Sequence, residues 1–250
     1  MKGDDFMKKV LCLFLAIVML MSLCGCGSGP EDVRGDIIPG TTEGTTAGTT
    51  EGTTEATTEA TTEATTEPTT EPEFSLGKAA NNTYKNEFLG LSCTLPADWV
   101  FYSDEQILEM NNLAGDYLDE EITEQLKNAT IIYDMYAMQE ATGSNVNVNL
   151  EKLNALQVLS LNIQASLEAQ IETIRSAYQN MGYTDVQVAY EKVTVDGKDF
   201  DGLRISAKIA EYEFAAVAFA YRKGNYLANV TVSALGADTV STILQYFTVE

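Results

Sequence analysis

The chain predicts an α+β domain, an antiparallel sheet flanked by helices, and three patterns predict it. Apolar and polar residues alternate in successive runs from Ile131 to Leu150 and again from Val186 to Ala234, the period of half-buried strands. Between these runs lies one stretch whose apolar residues recur at steps of three and four, the period of a helix. The strands follow one another through short turns instead of alternating with helices, which is how antiparallel sheets are connected.

Three regions are expected: 1–25, 26–77 and 78–250. In the first, Lys8 and Lys9 precede an apolar segment from Val10 to Leu23 that is broken only by Ser22 and followed by small residues. This is the layout of a secretory leader. Its fourteen residues fall short of the roughly 20 that a permanent bilayer span requires. Asp4 and Asp5 sit badly in a positive start, so translation is expected from Met7 as readily as from Met1. The quartet Leu23-Cys24-Gly25-Cys26 resembles the lipobox of bacterial lipoproteins. That resemblance implies a diacylglycerol thioether on Cys26, which becomes the mature N-terminus at the extracytoplasmic face of the cell membrane. Each buried methylene contributes about 0.8 kcal/mol, so two acyl chains would hold the protein there durably.

The second region contains Thr41 to Pro72, eight tetrads of the form Thr-Thr-Glu/Ala-x with x Gly, Ala or Pro. Paired β-branched threonines and recurrent glycine oppose a helix, and nothing larger than alanine is available for burial. Such a segment is expected to be a disordered, solvated tether, extended by repulsion between its glutamates. It resembles the Thr-rich spacers of Gram-positive surface lipoproteins, a resemblance that leaves O-glycosylation of its threonines open.

In the third region, "YKNEFLGLSCTLPADW" reads as two short strands about Gly90 and a turn at Pro96. Ser103 with Gln106 forms a capping box for a helix carrying Ile107, Leu108 and Met110. A second helix carries Leu118, Ile122 and Leu126. A hairpin follows, with Ile131, Tyr133, Met135 and Ala137 on one arm, Val146, Val148 and Leu150 on the other, and the turn at Gly143. The spacing then predicts one long helix from Leu156 to Met181, ended by Gly182. Next comes a four-strand meander: Val186 to Val195, an Asp196-Gly197 turn, Leu203 to Ile209, an apolar central strand from Phe214 to Tyr221, and Tyr226 to Ala234 after Gly224-Asn225. A closing helix is predicted with Asp238 as its cap and Val240, Ile243, Leu244 and Phe247 on its inner face.

Composition excludes several chemistries. The chain has 37 acidic and 15 basic residues and no histidine; from Phe74 onward the counts are 24 and 11, a net charge of −13. Such a surface repels nucleic acid, and no cluster of Lys or Arg overrides it. Without histidine there is no Ser-His or Cys-His pair and no imidazole ligand for a metal. Cys12 and Cys24 would leave with the leader and Cys26 would carry lipid, so Cys93 is the one thiol expected in the domain, buried and inert.

The stretch "YKNEFLGLSCTLPADWVFYSDEQ" resembles the opening of Mog1/PsbP-like domains: an aromatic residue, a glycine step, an alternating strand, then Pro-x-x-Trp. The order of elements agrees from Tyr84 to Glu250, with Leu91 where an aromatic is common. The resemblance implies an antiparallel sheet between helices, Pro96 and Trp99 as framework residues, and a non-catalytic binding role without a cofactor. It carries no site residue with it.

The binding candidates are Asn145, Asn147 and Asn149, which share one strand face, with Asp134 and Tyr136 on the neighbouring strand. They suit a glycan or peptide; the plainer expectation is that they form the solvated side of the hairpin. The densest acidic cluster, Asp116, Asp119, Glu120, Glu121 and Glu124, lacks EF-hand spacing and is expected from the helix dipole alone. Glu168 and Glu172 lie on a polar helix face. No catalytic or metal-ligating set is predicted. The reading is a lipid-anchored domain that binds an envelope protein or small ligand, the alternative being a surface hydrolase that uses carboxylates, with or without Ca²⁺, around Asp116 to Glu124.

Overall fold

A computed structural model of the chain describes residues 73–113 and 120–250. The leader, Cys26, the Thr-rich tetrads, Asp116, Leu118 and Asp119 lie outside the described residues. In chain order the elements are β1 (Lys78–Ala80), β2 (Thr83–Asn86), β3 (Leu91–Thr94), β4 (Val100–Phe101), α1 (Asp104–Met110), α2 (Glu120–Asn128), β5 (Ile131–Gln139) and β6 (Ser144–Lys152). They continue with α3 (Ala155–Ser160), α4 (Ile163–Asn180), β7 (Thr184–Val195), β8 (Lys198–Ile209), β9 (Tyr212–Lys223), β10 (Tyr226–Leu235), α5 (Ala237–Leu244) and β11 (Phe247–Val249).

The strands form two antiparallel sheets, one in the order β1-β2-β3-β11 and the other in the order β4-β5-β6-β10-β9-β8-β7. The fold is therefore α+β, as the alternating patterns predict. The main core lies between the sheets. Tyr84, Leu91, Cys93 and Phe247 of the small sheet pack with Val148, Leu150, Val217, Phe219, Val230 and Val232 of the large one, and Trp99, Leu108 and Val240 close its margins. On the other face of the large sheet, Leu167, Ile174 and Tyr178 of α4 pack over Val186, Val188, Leu203, Ile205, Ala216 and Ala218. β9 is thus covered on both faces, which explains its unbroken apolar run.

The capping box at Ser103 forms, with the Ser103 amide donating to Gln106 Oε1 at 2.9 Å and the Gln106 amide to Ser103 Oγ at 3.4 Å. Ile122 and Leu126 of α2 are buried in the main core. Gly182 ends α4 with a φ of 91°.

Three expectations need correction. The long helix is two helices: Leu161 is extended, and Asn154 and Asn162 each cap one of them, Asn162 accepting from the Ala165 amide at 3.0 Å. Leu156 and Leu159 consequently leave the inner stripe and are 78% and 85% exposed. The closing helix ends at Leu244, so Phe247 belongs to β11, where it pairs with Cys93. Its cap is Gly236 at a φ of 88°, and Asp238 sits in its first turn without capping it. Finally, ordered packing begins before Lys78: Phe74 stacks on Tyr226 at 4.6 Å, and the Gly77 amide donates to Asp134.

Candidate functional site

β5, β6 and β10 are adjacent, and residues in register across an antiparallel ladder share a face. Three rungs result. Met138 pairs with Asn145 and that with Ser233; Tyr136 with Asn147 and that with Thr231; Tyr133 with Asn149 and that with Asn229. On β9 the rungs continue into Ala216, Ala218 and Ala220. The polar residues of three neighbouring strands thus gather on one face, the face that α4 covers over β7, β8 and β9.

This row is buried, which corrects the expectation of a solvated hairpin face. Asn145, Asn147, Asn149, Asn229, Thr231 and Ser233 are each no more than 4% exposed. Some of their polar atoms satisfy one another: Asn229 Nδ2 donates to Asn149 Oδ1 at 3.4 Å, and Asn145 Nδ2 to the Gly143 carbonyl at 3.5 Å. Others have no partner, namely Asn147 Oδ1, Asn149 Nδ2, Thr231 Oγ1 and the Tyr136 hydroxyl. A buried polar group left unpaired costs about 1–3 kcal/mol, so this is where the sheet face concentrates its unmet hydrogen-bonding capacity. At the β5 edge the rings of Tyr136 and Tyr102 lie 4.5 Å apart, and burial pushes the Tyr136 hydroxyl above its ordinary value.

Asp134 does not join this row. A β-bulge lies between Tyr133 and Met135, and Asp134 occupies it. Its carboxylate accepts from Tyr84 Oη at 2.5 Å, Asn86 Nδ2 at 2.7 Å and the Gly77 amide at 2.8 Å, all from the segment that forms the small sheet. Burial raises its pKa, and the three bonds offset that in part. The adjoining cavity, about 10 Å³, is no larger than one water. Asp134 is an anchor between sheets and shares its small cavity with Tyr136, so of the five candidate residues it is Asn145, Asn147 and Asn149 that stand together on the row.

Among the described residues the other candidates do not converge on a shared site. Glu124 is exposed and pairs with Lys127 at 2.8 Å, and the side chains of Glu120 and Glu121 lie outside what is described. Glu168 accepts from Gln164 at 2.9 Å and Glu172 pairs with Arg175, both on the solvent face of α4. Among the described residues no three Asp, Glu, Cys or His side chains converge as a metal site would require. The Cys93 thiol is fully buried, and burial pushes its pKa up to about 12, which keeps it protonated and inert. An open depression of about 600 Å³ at the ends of β7–β9 contains the ion pair of Lys208 with Asp185 at 2.9 Å. Sequence reading missed Asn229, Thr231 and Ser233, although their alternation with Ala228, Val230 and Val232 is the signal that β10 has a polar side.

No family model matches the chain, and no curated protein matches it. Among solved structures it is similar to LpqN, described as involved in cell envelope biogenesis of Mycobacterium tuberculosis. The identity is 10%, the TM-score 0.34, and the match covers 64% of this chain and 82% of that one. Among the described residues no helix is long and apolar enough to cross a membrane.

Proposed function

We propose that the protein is a lipid-anchored extracytoplasmic lipoprotein that presents a non-catalytic binding domain of the Mog1/PsbP-like kind. The observation that carries the anchor is Leu23-Cys24-Gly25-Cys26 at the end of an apolar segment with a lysine start. The segment from Gly27 to Glu73, the Thr-rich tetrads included, then acts as a tether, roughly 40 Å long on average as a flexible coil, that keeps the domain near the membrane face. A binding role, and not catalysis, suits a domain without histidine whose described carboxylates are paired with neighbours or solvated. The partner is an envelope protein or a small ligand.

The anchor is tested by metabolic palmitate labelling of cells expressing the protein and its Cys26→Ala variant. The wild type should take up label and fractionate with membrane; the variant should do neither and should appear in the medium. Label retained by the variant would end the assignment of Cys26.

A further inference from the structure

Resting on the anchor reading, we infer that the end of the large sheet where the tether enters is a membrane-docking face. There the exposed leucines of α3 and a collar of basic side chains set the domain end-on against a bilayer of anionic lipid. Segments distant in sequence build this end. The last rung of the ladder is Lys152–Tyr226–Lys223, from β6, β10 and β9. Phe74, at the point where the tether reaches the domain, stacks on Tyr226 at 4.6 Å, and Phe88 meets the same ring edge-on at 5.6 Å. The Leu153 amide donates to the Asn225 carbonyl in the β9–β10 turn at 2.8 Å, so α3 starts at this same end. Val158 and Leu161 turn inward and pack on Leu153, Ala220 and Leu227. Leu156 and Leu159 are left outside, 78% and 85% exposed.

Charge selects the occupant. From Leu153 to Ile163 the chain carries no charged residue, although 21% of all its residues are charged, so the leucines can enter a headgroup layer without taking a charge with them. No run of Lys or Arg announces a basic patch in the sequence; the fold assembles one. Lys127, Lys152, Arg222 and Lys223 are four of the eleven basic residues from Phe74 onward, and all four lie at this end. Lys152 Nζ donates to the Lys127 carbonyl, and Arg222 Nη1 to the Gly224 carbonyl at 2.8 Å. Among the described residues only Lys127 of the four pairs with a carboxylate, that of Glu124. The far ends of β5, β6 and β9 carry exposed Glu140, Glu211 and Glu213. An anionic surface therefore attracts one end of the domain and repels the other, in spite of the net charge of −13. What favours a bilayer over a protein or a second copy is position: the patch surrounds the point at which a membrane-anchored tether joins the domain.

The test uses the full-length protein, labelled metabolically with palmitate, purified and reconstituted in vesicles of phosphatidylcholine alone or mixed with an equal part of phosphatidylglycerol. Trp99 is the one tryptophan and is buried in the main core, so it gives a constant background. Leu159→Trp places a reporter on the patch and Glu211→Trp one at the far end; quenching by lipids brominated in their acyl chains is the readout. With phosphatidylglycerol present, position 159 should be quenched at least about threefold more than position 211. That excess should disappear in phosphatidylcholine alone, and also when Leu156→Asp, Arg222→Gln and Lys223→Gln are added. Equal quenching at 159 and 211 in palmitate-labelled protein would overturn the docking and leave the anchor standing. Quenching at 159 without palmitate label would end the anchor and keep the docking face, and the absence of both would end both. Excess quenching that survives the three substitutions, or that ignores phosphatidylglycerol, would also overturn the inference. A change in the emission of position 159 with protein concentration in the absence of lipid would assign the patch to a second copy instead. The comparison of 159 with 211 changes one exposed residue in each protein, so it stands even where the multiple variant fails to fold.

Discussion

The Tyr84 hydroxyl donates to Asp134 Oδ2 at 2.5 Å, and so joins β2 of the small sheet to the bulge of β5 in the large one. Asn86 and Gly77 complete the carboxylate's shell, which makes Asp134 the polar centre on which the N-terminal segment closes over the core. A hydrogen bond to a charged group contributes about 1.5–3 kcal/mol, and Tyr84→Phe removes this one while keeping the ring. Urea unfolding should show a loss in that range. Asp134→Ala should lose more, about 3–5 kcal/mol, because it leaves three buried donors without an acceptor. Equal stability of Tyr84→Phe and wild type would mean that the hydroxyl bond contributes nothing.

The same carboxylate sets a pH dependence. Burial raises the Asp134 pKa, a shift that the bonds from Tyr84, Asn86 and Gly77 reduce without cancelling. The folded state therefore keeps this proton to higher pH than the unfolded chain, where aspartate titrates near about 3.9. The resulting contribution to stability is complete below the unfolded value and is lost as pH rises through the raised folded one. Asp134→Asn does not titrate at this position. The stability of wild type minus that of Asp134→Asn should accordingly fall as pH rises from the unfolded value through the raised folded one. A difference that rises over that range would show that the hydrogen bonds, and not burial, dominate.

Gly202 sits on β8, paired with Phe219 of the neighbouring β9. A Cβ there would lie 2.5 Å from the Ala218 carbonyl oxygen and 2.5 Å from Val193 Cγ2. Neither the backbone of a central strand nor a buried β-branched side chain can move aside cheaply. Gly202→Ala should therefore lower stability by about 1–3 kcal/mol in denaturant titration. Gly197 offers the contrast in space, since a Cβ there meets nothing within 4 Å, although its φ of 73° also favours glycine.

Much of this architecture is legible in the residues because long strands repeat. β7 to β10 each run ten to twelve residues, and turns at Asp196-Gly197 and Gly224-Asn225 separate two of their pairs. β1, β4 and β11 span only two or three residues, too few to show any period, and β4 and β11 form through pairing with distant segments, as Val100 does with Met138 and Cys93 with Phe247. The site was half legible. Alternation places Asn145, Asn147 and Asn149 on one face but is silent about what lies on that face, so a buried row reads like a solvated one. Asp134 was misplaced because a bulge shifts the two-residue period by one, and no residue type announces it.

The break at Leu161–Asn162 gives the last prediction. Leu156, Leu159 and Ile163 continue the helical period into Leu167, yet Asn162 turns its side chain to the Ala165 amide and starts a new helix. A cap of this kind contributes about 1 kcal/mol, and the redirected chain leaves Leu156 and Leu159 in solvent while Leu167 stays buried. Leu159→Ser should thus change stability by less than about 0.5 kcal/mol, whereas Leu167→Ala should cost about 2–5 kcal/mol. Asn162→Ala should cost about 1 kcal/mol through loss of the cap. If α3 and α4 were instead one continuous helix, Leu159 would belong to the inner stripe. Leu159→Ser would then approach the cost of Leu167→Ala, and Asn162→Ala, a better helix former in mid-helix, would stabilise the protein. The sign of the Asn162→Ala effect in urea unfolding separates the two arrangements.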